Sequence, residues 1–150
     1  MPSGRRVLAA LACVAVVPAG CSSAVDVSPA PEAPSAACAA ASRHWPATVG
    51  NQRPVDTSSS SGSVHAWGDP AVIVRCGVPA PGPSTDDCLG VDGIDWLAHP
   101  LSDGTRFTTY GRSPAIEVLV PRAYDPGGLL LPAFTAAART IPQAGRHCTG

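Results

Sequence analysis

The sequence predicts an α+β domain: a small antiparallel sheet of about four to five strands, with an N-terminal and a C-terminal helix packed on it, stapled by disulfides. Three observations lead there. Helix-period apolar patterns lie at both ends of the folded part, while β-branched, strand-like segments lie between them. Gly, Asp and Pro turn pairs separate those segments. Four cysteines, Cys38, Cys76, Cys88 and Cys148, fall inside the region so bounded.

The chain begins with Arg5 and Arg6 before an apolar run, Val7 to Val17, that leads into Pro18-Ala19-Gly20-Cys21. A basic start, a short apolar segment and small residues before a cut are the layout of a secretory signal. The run is too short to cross about 30 Å of hydrocarbon as a helix. A cysteine straight after Ala-Gly looks like a lipoprotein box, so residues 1–20 are expected to be a signal peptide and Cys21 the acylated mature N-terminus. The protein is therefore expected on the outer face of the cytoplasmic membrane, lipid-anchored, with the membrane as its first partner. Residues 21–34, rich in Ser, Pro and Ala, read as a tether of roughly 20–40 Å. Residues 35–150 then form a single domain.

Ser35 is placed to cap a helix over 36–45, with Cys38, Ala41 and Trp45 on one face and Pro46 closing it. Residues 50–62 read as a loop. Strands are expected at 64–67, 71–76, 94–97, 105–110 and 115–120, the last two forming an antiparallel hairpin through Gly111-Arg112-Ser113-Pro114. Residues 78–83 hold three prolines and cannot sustain a ladder. A helix over 130–141 aligns Phe134, Ala137, Ala138 and Ile141.

Composition narrows the function. After the signal is removed, eight Arg stand against eleven Asp and Glu, a net side-chain charge of −3, and the chain has no lysine. A nucleic-acid partner is not expected. An even set of four cysteines outside the cytoplasm implies two disulfides, for which three connectivities exist. The expected pairing is Cys76–Cys88 as a local loop and Cys38–Cys148 joining the domain ends. By the chain-entropy relation these are worth about 3 and about 4.7 kcal/mol.

Catalytic constellations do not emerge. Paired cysteines leave no nucleophilic thiol, and His44, His65, His99 and His147 show no zinc-ligand spacing. The acidic stretch Asp86, Asp87, Asp92, Asp95 and Asp103 lacks the order of a calcium loop. No serine sits in a nucleophile elbow. No catalytic residue, metal or cofactor is therefore assigned. The candidate binding residues are Trp67, Tyr110 and Arg112, which could line one sheet edge as a patch for a sugar, peptide or protein; the alternative is core packing for the aromatics and, for Arg112, a brace of its own loop through backbone carbonyls.

Four fragments, Ala66-Trp67-Gly68-Asp69-Pro70, Val74-Arg75-Cys76-Gly77-Val78-Pro79, Asp95-Trp96 and Thr109-Tyr110-Gly111-Arg112-Ser113-Pro114-Ala115, together resemble an actinobacterial family of secreted lipoproteins, domain of unknown function 3515. The resemblance spans about residues 36–145. It implies the extracytoplasmic address and one folded unit, and it carries no activity. The expectation is a binding or accessory protein of the cell envelope, partnered with an envelope protein or cell-wall component. Two alternatives stand beside it: a small envelope hydrolase using Asp95, Glu117 or His65, and a passive structural lipoprotein.

Overall fold

The structure is a computed structural model that describes Met1 and residues 23–149. The signal segment and Cys21 lie outside the described residues. Seven strands form one antiparallel sheet: β1 (Pro54–Val55), β2 (Val64–Trp67), β3 (Val72–Val78), β4 (Asp87–Val91), β5 (Ile94–Pro100), β6 (Gly104–Thr109) and β7 (Ala115–Pro121). Their spatial order is β1-β2-β3-β7-β6-β5-β4. The α+β class holds, with more strands than expected. Both additions, β1 and β4, are edge strands whose sequences, Pro-Val and Asp-Cys-Leu-Gly-Val, carry little of the apolar alternation that marks a strand.

Period-2 alternation gives the sheet two distinct faces. Val72, Val74 and Cys76 of β3, Ile116, Val118 and Val120 of β7, Phe107 of β6, and Ile94 and Trp96 of β5 point one way and are buried. Both helices cover this side. Helix α1 (Ala36–Ser42) is capped by Ser35, whose Oγ accepts from Cys38 N at 3.2 Å. It stops at Ser42, short of Trp45, because Arg43 caps it and Trp45 turns aside to donate its indole N–H to Gly62 O at 2.9 Å. The C-terminal element is a 3-10 helix over Gly127–Phe134, containing Pro132, followed by α2 (Thr135–Arg139). Leu131, Phe134, Ala137, Ala138 and Ile141 complete the core, all at 0% exposure.

The expected disulfide pairing is overturned. Cys38 bonds Cys76 and Cys88 bonds Cys148, each pair with Cα atoms 5.5 Å apart. Cys76 and Cys88 are close in sequence but lie on strands separated by β7, β6 and β5. Four strand spacings make roughly 19 Å, far beyond disulfide reach. They also face opposite ways: Cys76 joins the helix side, whereas Cys88 pairs in register with Leu97, which points to the other face.

The second face is partly covered by chain that reads as a tether. Val25 N donates to Asp56 O and Val25 O accepts from Ser58 N, both at 2.8 Å. Further on, Arg75 Nη1 reaches Ser28 O at 3.4 Å and Glu32 N reaches Gly77 O at 2.9 Å. Ala30 and Ala33 are buried, at 5% and 8% exposure. Residues 23–34 therefore act as a strap over the β1–β3 end of the sheet. Gly77, at φ 106°, permits the closest approach, since a Cβ there would collide with the backbone of Glu32 and Ala33.

Candidate functional site

After β3 the chain must cross from the middle of the sheet to its far edge before β4–β5–β6–β7 wind back to pair with β3. Residues 79–86 make that crossing over the second face. Pro79, Pro81 and Pro83 favour extended backbone, about 3.1 Å per residue, so eight residues span the roughly 19 Å that four strand spacings require. The loop roofs a cleft of about 330 Å³ lined by its own Pro79–Asp86 stretch and by Leu97, His99, Arg106, Thr108 and Glu117. That volume sits at the lower end of the range for small-molecule sites.

The sheet register places the polar groups. Leu97, Thr108, Glu117 and Arg75 are successive cross-strand partners on β5, β6, β7 and β3, and His99 faces Arg106 two residues away. Glu117 is only 5% exposed, and its Oε1 accepts from both Arg75 Nε, at 3.0 Å, and Arg75 Nη2, at 2.6 Å. On the loop, Asp86 Oδ1 pairs with His99 Nδ1 at 3.0 Å. The hydrogen bond from His99 holds the Asp86 carboxyl below its ordinary range; burial opposes this and the charges of His99 and Arg106 reinforce it. Arg106 is half-buried and, among the described residues, makes no ion pair within 4 Å.

The sequence-predicted patch does not assemble. Trp67 is wholly buried, stacks edge-on with Phe134 at 5.6 Å between centroids, and donates its indole N–H to Pro46 O. Tyr110 is half-buried at the end of β6. Arg112 is 8% exposed and braces the C-terminal tail by donating from Nη1 to Ile141 O, as Arg112 and Gln143 form a bridge. Burial pushes its guanidinium down from the ordinary value, with Asp95 opposing and Arg139 adding to the shift. Trp67 belongs to the core because its register with Val72 puts it on the face that the helices cover.

The residues weighed for a hydrolase are also kept apart. His65 lies on the helix side, against the Trp67 ring at 4.6 Å, whereas Asp95 and Glu117 lie on the opposite face. Asp95 Oδ2 is occupied by His147 Nδ1 and Cys148 N, both at 3.2 Å, where the tail crosses to reach Cys88. A wider groove of about 820 Å³ lies at the other end of the second face, lined by residues 23–25, Asp56, Asp69, Ile73, Asp103 and Pro121 among others. Among the described residues no cluster of His, Cys, Asp and Glu could hold a metal ion, and no helix is long and apolar enough to cross a membrane.

The signal sequence reasoning lacked for the cleft was strand order. Read with a local disulfide, the proline stretch is a closed loop, whereas with β4 at the far edge it becomes a roof. No curated protein and no solved structure matches the chain. One family model does, over residues 6–144, described as protein of unknown function DUF3515; the chain belongs to that family.

Proposed function

We propose that this protein is a lipid-anchored, extracytoplasmic domain that works by binding an envelope protein or cell-wall component through the cleft under the proline loop. The observation that carries the reading is the cleft itself. A crossover that could run as bare loop instead encloses a polar-floored space with a cation, Arg106, that no carboxylate among the described residues neutralises directly. Concave sites with a few convergent polar groups are where ligands bind. A passive structural role would need no such space.

Anchoring at Cys21 would give the domain little slack. Val25 is already hydrogen-bonded to the sheet, and four residues of chain reach at most about 14 Å. The strap enters at the Ile73 end of β3, whereas the cleft begins at Val78, five residues and roughly 16 Å along the strand. On this reading the cleft opens away from the bilayer, towards the wall.

Because the chain has no lysine, amine-reactive crosslinkers have no side chain to capture. The test is a photo-crosslinking residue placed at Ser84, on the cleft roof, and separately at Ser102, outside it, in living cells. A discrete adduct from Ser84 that is missing from Ser102 is expected. No adduct from Ser84, or the same adducts from both positions, would overturn the reading.

A further inference from the structure

We infer that the cell-wall component the cleft takes is a small zwitterion, a peptide of about two residues with both ends free, and that Arg106 receives its carboxylate. The inference rests on the reading of the cleft as the binding surface and adds the chemistry of what fills it. Arg106 presents a planar fork of donors suited to a carboxylate, and among the described residues no carboxylate lies within ion-pair distance of it. His99, its cross-strand partner, also lines the cleft and turns Nδ1 to Asp86.

Two negative groups share the space. Asp86 stands on the roof and Glu117 in the floor, where both Arg75 bonds fall on Oε1 and Oε2 remains available to accept. These carboxylates disfavour a doubly charged anion such as phosphate and provide an acceptor for an ammonium. Arg106 and Glu117 are diagonal neighbours on β6 and β7, a separation of about 7–8 Å between residues and somewhat less at Cβ. That span matches the two ends of a dipeptide better than the adjacent charges of a single amino acid. Leu97 and the proline walls offer apolar contact for its short side chains.

The test is a titration of the ¹⁵N-labelled mature chain with alanyl-alanine, followed at the Arg106 Nε–H and the backbone amides of Leu97 to Thr108. Parallel titrations use alanyl-alaninamide, N-acetyl-alanyl-alanine and inorganic phosphate. Saturable shifts with alanyl-alanine are expected, and the amide, which lacks the carboxylate, should bind about tenfold or more weakly. R106Q should lose binding to the same extent while keeping its melting temperature, and R122Q, whose arginine bonds Ser102 O outside the cleft, should bind as the native chain does. The acetylated peptide should weaken less than the amide. Tighter binding of phosphate than of alanyl-alanine, unchanged binding in R106Q, or no shift with any carboxylate would overturn the inference. An Arg106-independent shift together with a Ser84 adduct would remove the zwitterion and leave the binding reading standing; loss of both would remove the two together.

Discussion

Arg75 and Glu117, cross-strand partners on β3 and β7, meet through a single carboxylate oxygen, with donor distances of 3.0 and 2.6 Å. Glu117 is almost fully enclosed while the Arg75 side chain keeps 29% of its surface. Glu117 thus lies in the floor of the cleft, and Arg75, through Nη1 and Ser28 O, ties the strap to it.

Breaking that pair from one side leaves a buried charge short of its partner. R75L should destabilise the fold by about 1–3 kcal/mol, below the value for a fully buried pair because Arg75 is partly solvated. The double variant R75L/E117L should recover much of the loss. Urea unfolding of the three variants measures both.

The two bridges should prove structural. Their closures span 38 and 60 residues, and chain entropy assigns each about 4 kcal/mol. Peptide mapping without reduction checks the pairing. Cleavage at arginine alone leaves Cys76 and Cys88 on one peptide, residues 76–106, so a second cut before Asp86 or Asp87 is needed. Cys38 should then travel with Cys76 and Cys88 with Cys148.

Much of the interior was legible from the chain. β-branched runs marked β3 and β7, the hairpin through Gly111 to Pro114 formed, and the stripe Phe134, Ala137, Ala138 and Ile141 is buried as a unit. These are local patterns with one consistent period. The order of strands is not local: β4 pairs beyond β5 because a meander returns to β3, and nothing within residues 87–91 announces it. The disulfide pairing and the cleft follow from that order, so they were missed together; the strap was missed because its partners Asp56, Ser58 and Gly77 are far from residues 25–32 in sequence. Arg112 reads from the sequence as a candidate binding residue, but its partner Ile141 O lies 29 residues away, and that contact makes it a brace.

The strap gives a sharp local prediction. G77A adds a methyl where the backbone is at φ 106° and where Glu32 and Ala33 press close. A loss of about 1–3 kcal/mol is expected. Hydrogen exchange at the Glu32 amide, bonded to Gly77 O, should accelerate well beyond that of β6 amides.

Acid should weaken the fold partly through His65. Burial lowers its pKa below the ordinary 6.5, so the unfolded chain binds the proton more readily. Its contribution is therefore complete above about pH 6.5 and declines as pH falls below that value towards the lowered native pKa. H65Q should flatten the stability profile between pH 7 and 5, roughly the window in which histidine titrates. In a separate NMR titration, H99Q should raise the Asp86 pKa, since the hydrogen bond from His99 is the chief cause of its lowering.

The central claim is that the cleft, and not another surface, meets the partner. The competing surface is the exposed apolar pair Leu89 and Leu129 on the helix side. The most direct measurement is hydrogen exchange of the purified mature protein before and after addition of detergent-solubilised envelope from the same cells. Slowed exchange in residues 79–86 and 97–108 is expected. Protection confined to Leu89, Leu129 and their neighbours, or no protection anywhere, would contradict the account.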